Sequence, residues 1–294
     1  MLTTQGIFDR YEQVRARLPC MADAPVTRDI ASLLEIAAHV DAFVFDAFGV
    51  LNVGETLIPG ADTRLDQLRA QGKDIRILTN AASFDRPHTL AKFARLGLGL
   101  RDGEVIASRT AALAQVTPMH WGVIAASTDT LEDMPQPFTR MADDTQAYDR
   151  ADGFLFLSAA DWTDECQSIL TASMDSNPRP LLIGNADLAA PREDGFSREP
   201  GYFGHLIADR HSNVVQFFGK PYADVYDRIE ATLPGIRPAR IVMCGDTLHT
   251  DILGAAARGW RTVLVTQDGL FAGHDTRVFC DASGIQADWR TARI

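Results

Sequence analysis

The chain has 294 residues, 46% apolar and 23% charged, with a formal net charge of -11, which fits a globular protein of about two domains at roughly 150 residues each. The negative balance excludes nucleic acid as a partner, because a polyanion needs a basic face, but not a small phosphorylated ligand that meets only the local field of a site. The four cysteines (Cys20, Cys166, Cys244, Cys280) form no C-x-x-C pair, which argues against a disulfide framework or zinc site and for a reducing, cytoplasmic setting.

Residues 5 to 40 read as helical. Ile7, Tyr11, Val14 and Leu18 recur at helical spacing, and the run SLLEIAAHV follows. The N-terminal stretch lacks the apolar core of a signal peptide, and no segment is long and apolar enough to span a bilayer, so no membrane association is expected. DAFVFDAFGV reads as a buried strand ending near Asp46. Turn signals at Gly54 and Pro59-Gly60 mark a short hairpin over 51–60. ADTRLDQLRAQG is an amphipathic helix with a Gly stop, DIRILTN a second buried strand ending in Thr79-Asn80, and RPHTLAKFARLGL a helix with Pro87 in its first turn.

The middle is less regular. WGVIAAS, GFLFLS and PLLIGN read as strands and 163–174 as a helix. After residue 213, VVQFFGKP, ARIVMCGD and RTVLVTQDG are strand-to-loop transitions separated by helices at 222–233 and 250–258. Strands alternating with helices imply a parallel α/β sheet with right-handed crossovers. The same pattern before residue 85 and after 213 implies one core domain split by an insertion: a first core part over 1–118, an inserted domain over 119–208 and a second core part over 209–294.

In open α/β sheets, ligands bind outside the carboxyl ends of the strands. Four polar clusters fall at such ends: Asp46, Thr79-Asn80, Gly219-Lys220-Pro221, and Gly245-Asp246 with Asp251 five residues on. Together they hold what phosphoryl transfer requires. A carboxylate can attack phosphorus, carboxylates can hold Mg²⁺ through hard oxygen ligands, and a hydroxyl and a cation can bind the phosphate oxygens. Each cluster alone is an ordinary cap or turn; the ordered set is what carries the chemistry.

The set resembles the four motifs of the haloacid dehalogenase superfamily: Asp46-Ala47-Phe48-Gly49-Val50, then Thr79, then Lys220, then Asp246 with Asp251. The Thr-Asn, Gly-Lys-Pro and Gly-Asp wording looks like its class IIA-capped branch of nucleotide, phosphoglycolate, pyridoxal phosphate and p-nitrophenyl phosphate phosphatases. Within the insertion, Gly184-Asn185-Ala186-Asp187, with Pro191 beyond, is similar to the branch's Asn-Pro-Asp segment, with Ala186 in place of the proline. Pro200-Gly201-x-Phe203-Gly204 resembles its Gly-rich return to the core. The resemblance covers roughly residues 41 to 270. It implies a Rossmannoid parallel core with an inserted α/β cap, and a hydrolase of a small phosphorylated metabolite acting through an aspartyl-phosphate. It makes Asp46 the nucleophile and a Mg²⁺ ligand, has Thr79, Asn80 and Lys220 bind phosphate, and has Lys220 also orient Asp46. It places Asp246, Asp251 and the Phe48 carbonyl around Mg²⁺. A homodimer is compatible with a cap of this size.

The sequence departs from the family at Phe48, where the family carries the aspartate that protonates the leaving oxygen and then activates water. A phenyl ring supplies neither function, so ordinary alkyl phosphates are expected to be slow and phosphates with good leaving groups less affected. The alternative is a phosphometabolite-binding protein without turnover, with Phe48 packed over the site. Carbon–phosphorus cleavage, which a related branch performs with a cap lysine, is disfavoured because 119–208 contains no lysine. Among substitutes for the acid, His249 is weighed against a plain solvent-facing loop residue. Glu55, Asp85, His88 and His205 read as surface or capping groups. Trp121, Trp162, Trp260 and Phe217-Phe218 read as core; Met119-His120-Trp121 is a weak candidate for touching substrate. Glu132-Asp133 and Asp143-Asp144 read as a solvated face.

Overall fold

The structure is a computed structural model and describes residues 2–22 and 24–294, with all of their side chains except that of Asp102. Helix α1 (Thr4–Gln13) is capped by Thr3 and buries Ile7, Phe8 and Tyr11. The α-helical reading of 5–40 holds only there, with a 3-10 turn Arg15–Arg17 at its end. Pro19 and Pro25 lie beyond it, where a continuous helix would lose backbone donors. The chain instead forms a short strand β1 (Arg28–Asp29) and two 3-10 turns, Leu33–Glu35 and Ala37–His39, the first closed by a Ser32/Glu35 capping box.

The core begins with β2 (Ala42–Phe45), whose four residues are all buried, and the hairpin β3 (Asn52–Val53) and β4 (Thr56–Leu57). It continues through α2 (Ala61–Ala70), β5 (Asp74–Thr79), α3 (Arg86–Arg95), β6 (Val105–Ala107) and α4 (Ser108–Leu113). A second unit follows: β7 (Trp121–Ile124), β8 (Phe138–Arg140), α5 (Thr145–Arg150), β9 (Gly153–Phe156), α6 (Asp164–Ser176) and β10 (Leu181–Ile183). The hairpin β11 (Ala189–Arg192) and β12 (Gly195–Arg198), helix α7 (Pro200–His211) and β13 (Val215–Phe217) come next. The chain returns through α8 (Ala223–Ala231), β14 (Ile241–Gly245), a π-helical turn Leu248–Ile252, α9 (Leu253–Ala257), β15 (Arg261–Val265), α10 (Thr276–Ser283) and β16 (Trp289–Thr291).

The core sheet runs β1-β16-β15-β14-β2-β5-β6, and every pairing in it is parallel. From β2 the chain moves one way to β5 and β6, and after the insertion it resumes on the other side at β14. The order therefore reverses at β2, and the crevice that such a reversal opens lies at the carboxyl end of β2, where Asp46 stands. The second sheet, β13-β10-β9-β7-β8, is also parallel. One apolar cluster joins the two sheets, running from Val44 and Met243 through Ala111, Ala112, Val225 and Ile229 to Val123, Leu155 and Leu182.

Two expectations are corrected here. Residues 215–217, read as a strand of the returning core, pair with β10 as the last strand of the smaller sheet, Leu181 opposite Val215. That sheet thus extends past the boundary drawn at 208. The Pro200–Gly204 segment does not return to the core either; it starts α7, which lies on the smaller sheet with Gly204 against Ile183 and Phe217. An apolar run reveals a buried strand but not which sheet buries it.

The aromatic core residues are where composition put them: Trp121, Trp162, Trp260, Phe217 and Phe218 are all buried. His205, thought a surface group, is buried in α7, stacked on Phe217 at 4.2 Å between ring centroids, with Nδ1 3.2 Å from Arg17. Burial, and then the charges of Arg17 and Arg10, depress it from 6.5 to about 3. The unfolded chain therefore takes up this proton at a higher pH than the folded one, and stability falls as pH drops below 6.5. Acidification from neutrality to about pH 5 costs the parent roughly 2 kcal/mol through this group. His205→Phe keeps the stack and removes that part of the pH dependence. Denaturant midpoints of both proteins across this range check it; parallel curves would refute it.

Candidate active site

Asp46 directly follows β2, and its backbone N–H still donates to Cys244 O at 2.9 Å, so the sheet pairing itself fixes its place. The flanking strands contribute Thr79 at the end of β5 and Gly245-Asp246 at the end of β14. Gly49 turns the chain away with φ of 78°; a Cβ there would lie 2.7 Å from Asp246 Oδ2 and from Gly269 Cα, so only glycine fits.

Lys220 enters from the other sheet, on the loop after β13, and is 1% exposed. Its Nζ stands 2.5 Å from Asp46 Oδ1 and 2.7 Å from Asp251 Oδ1. Burial works against its charge, but Asp251, Asp46 and Asp187 outweigh burial and hold the ammonium well above its ordinary value. Asp251 spends its second oxygen on Thr247 N–H at 3.0 Å. Asp246 accepts from Leu270 N–H at 2.7 Å and from the Thr247 hydroxyl at 3.1 Å.

Asp46, Asp246 and Asp251 each offer an oxygen, all within 4.8 Å of one another. Burial pushes Asp46 up to about 7, opposed by Lys220 and assisted by Asp251. Burial, then Asp251 and Asp46, push Asp246 well up. Lys220 pairs with Asp46 and Asp251, and the three acids ionised together would outnumber that one ammonium, which is why burial and mutual repulsion favour protons on Asp46 and Asp246. A hard cation with oxygen ligands fits that donor set, and Mg²⁺ is such a cation.

The expected phosphate ligands separate into two kinds. Thr79 lines the cavity beside Asp46, its Oγ1 accepting from Ala81 N–H at 3.1 Å, which leaves its hydroxyl proton free to be donated. Asn80 is placed otherwise than expected. Its Oδ1 accepts from Lys220 N–H at 2.7 Å, and its Nδ2 donates to Lys220 O at 2.9 Å and to Asp187 Oδ1 at 2.8 Å. With both ends of its amide occupied and 1% exposure, it braces Lys220 rather than presenting a group to a ligand.

Asp187, singled out only as part of an Asn-x-Asp segment, is brought into the site. It lines both the cavity shared by Thr79 and Phe48 and the narrow cleft shared by Asp46 and Asp246. Its carboxyl is pushed up to about 8, first by burial and then by Asp46 and Asp251, against Lys220. The Phe48 ring carries Lys92 Nζ at 4.7 Å and Arg192 Cζ at 4.9 Å from its centroid. It thereby ties α3 to the β11–β12 hairpin by cation–π contacts. The tip of that hairpin rests on β3–β4, with Glu193 accepting from Glu55 N–H at 3.1 Å.

The remaining candidates lie elsewhere. His249 is neither a site acid nor a solvent-facing residue. It is fully buried, stacked on Tyr11 at 4.8 Å, with Nε2 2.5 Å from Glu12, and burial lowers it to about 4. The N-terminal helix that accounts for this was not connected to the 249 region by any sequence signal. Asp85 caps α3 and holds His88; Glu55 pairs with Lys92 at 2.6 Å on the surface. His120 bonds Thr139 and Trp121 fills the core. Asp143 and Asp144 are exposed, but Asp133 is no free surface acid, since it shares the buried Arg109 with Asp129.

A parallel sheet with carboxylates and a buried lysine gathered at its reversal point, and a second α/β unit inserted beside it, define a Rossmann-like α/β core with a cap. Two parts of the chain match family profiles: residues 43–142 match the haloacid dehalogenase-like hydrolases and 217–278 the HAD-hydrolase-like group. Chronophin of Rattus norvegicus is 31% identical over 255 residues, 80% of this chain and 79% of its own. Glycerol-3-phosphate phosphatase of Homo sapiens is 28% identical over 256 residues, 78% of this chain and 79% of its own. A haloacid dehalogenase-like hydrolase of Brucella suis 1330 shares the fold, with a TM-score of 0.74, 19% identity, and coverage of 90% of this chain and 99% of that one. The chain belongs to the haloacid dehalogenase-like hydrolases, on their phosphatase side. Among the described residues, no helix is long and apolar enough to cross a membrane.

Proposed function

We propose that this chain is a Mg²⁺-dependent phosphatase of a small phosphorylated metabolite that uses Asp46 as its nucleophile. The observation that carries the reading is the Lys220 ammonium, held within 2.7 Å of both Asp46 and Asp251, with Thr79 on the neighbouring strand end lining the cavity. Lys220 keeps Asp46 ionised and aimed, and its positive charge together with Thr79 receives the phosphate oxygens. Asp46 attacks phosphorus, the ester oxygen departs, and water then releases phosphate from the acyl-phosphate. Mg²⁺, held by Asp46, Asp246, Asp251 and the Phe48 carbonyl, would offset the charge of the phosphate and the carboxylates. Asn80 and Asp187 fix the lysine's loop and the cavity wall. The similarity to a glycerol-3-phosphate phosphatase supports a small phosphorylated substrate.

A non-hydrolytic binding protein is the rival reading, favoured by the Phe48 ring at the acid position under two cations. Mg²⁺-dependent phosphate release from sugar, nucleotide, acyl and aryl phosphates decides between them. Release is expected, and phosphate binding without release from any ester would favour the rival. A companion expectation concerns the ion: Asp246→Asn lowers Mg²⁺ affinity at least about tenfold, through loss of one of few charged ligands. Calorimetric titration with Mg²⁺ checks it, and unchanged affinity would remove Asp246 from the proposed ligand set.

A further inference from the structure

Phe48 leaves the proposed reaction without its usual proton donor, and three carboxyl groups line the cavity in its place: Glu55, Asp187 and Glu199. Two are spent. Glu55 is bound by Lys92 at 2.6 Å on the exposed hairpin. Glu199 is bound by Arg192 at 2.9 Å, by Ser197 at 2.6 Å and by Asn185 at 3.1 Å. Among the described residues, no cationic side chain pairs with Asp187 and none bonds its Oδ2; its Oδ1 takes the Asn80 amide. It is also the one carboxyl of the three that reaches the cleft lined by Asp46, Phe48 and Asp246.

Its position is fixed from several sides. Asp187 N–H donates to Asn185 Oδ1 at 2.9 Å, and the next residue, Leu188, donates its N–H to the buried Tyr11 hydroxyl at 3.1 Å. Glu199 N–H donates to Leu188 O at 3.1 Å. Gly201 packs so closely on the Ala186 and Asp187 carbonyls that a Cβ there would collide with both. A backbone fixed in this way, with the Asn80 amide on the carboxyl, holds the Asp187 side chain in the preorganised manner that proton transfer needs.

We propose that Asp187 performs the acid–base work for which Phe48 has no chemistry; this rests on the phosphatase reading above. In the first step Asp46 forms its bond to phosphorus as the ester P–O bond breaks, and Asp187 gives its proton to the departing alkoxide oxygen. In the second, the Asp187 carboxylate takes a proton from water as the water oxygen bonds to phosphorus. The Asp46–phosphorus bond breaks, and Asp46 carboxylate and inorganic phosphate are released with Asp187 protonated again.

The test compares glycerol phosphate, an alkyl ester with a poor leaving group, with p-nitrophenyl phosphate, whose phenolate needs no proton. Asn at 187 keeps an oxygen for the Asn80 amide. Asp187→Asn should lower kcat/KM for the alkyl ester by about 10²–10⁴-fold and for the aryl ester by less than about tenfold. With the aryl ester, kcat should also fall and a burst of nitrophenolate should appear, because the second step has lost its base. Phe48→Asp in the Asp187→Asn background should recover much of the alkyl rate, and this rescue also shows that the single variant is folded. Equal losses on both esters, or no loss on either, would overturn the assignment and leave Asp187 as a brace for Asn80. Absence of release from both esters by the parent would instead overturn the phosphatase reading beneath it.

Discussion

Asp46→Asn stops phosphate release while leaving the chain folded. The carboxylate is the proposed nucleophile, and removing a nucleophile that acts as one unit with its neighbours costs on the order of 10⁴-fold or more. Unfolding is not expected to account for the loss, because burial pushes the Asp46 carboxyl from 3.8 up to about 7 in the metal-free chain. The sign follows from proton counting. Between those values the folded chain binds the proton that the unfolded chain has released, so the ionised group takes stability away as pH rises toward neutrality. A neutral amide relieves that cost. The variant should therefore melt at the parent's temperature or above it without Mg²⁺, as expected of a residue kept for chemistry rather than stability. Calorimetric melting of both proteins, beside the release assay, checks the pair of outcomes. A variant that releases phosphate at the parent's rate would remove Asp46 from the mechanism.

Lys220→Met has the opposite balance. The ammonium is 1% exposed and lies against Asp46 and Asp251. Removing one partner of a buried pair leaves the others uncompensated, at about 3–5 kcal/mol, enough to lower the melting temperature by roughly 10 °C in a chain of this size. The remaining carboxylates can recover part of this by taking up protons, so the penalty should shrink as pH is lowered. Activity is lost as well, because Asp46 loses the charge that keeps it ionised. Denaturant unfolding at two pH values reads the effect directly. An unchanged midpoint at neutral pH would mean that the three carboxylates do not depend on this lysine.

Much of this is legible in the sequence. Ala42–Phe45 and Asp74–Thr79 are apolar runs ending in polar residues, and the core sheet turns them into adjacent strands with Asp46 and Thr79 at their carboxyl ends. Asp246 and Asp251 follow β14 in the same way. What remained hidden depends on contacts between distant segments. Composition could not show that 215–217 completes the smaller sheet, because pairing partners leave no mark in a short apolar run. Asn80 carries the signature of a cap or a ligand, and only the cis-linked Lys220-Pro221 loop lying against it reveals a brace. His249 looked like a loop residue because nothing in its neighbourhood announces α1, more than 200 positions away, whose Tyr11 and Glu12 bury it. Asp187 was visible as a motif letter, but only the folded chain brings it into the cleft that Asp46 lines. Phe48 stands out in the sequence as a departure from the family motif, while its use as the seat for Lys92 and Arg192 belongs to the folded arrangement alone.

The central claim is covalent catalysis by Asp46, and the most direct measurement is peptide mass mapping of enzyme quenched in acid during turnover of p-nitrophenyl phosphate with Mg²⁺. The account predicts a phosphoryl group on the peptide containing Asp46, more of it in Asp187→Asn than in the parent, and none in Asp46→Asn. Steady phosphate release with that peptide unmodified at every quench time, in parent and Asp187→Asn alike, would contradict it.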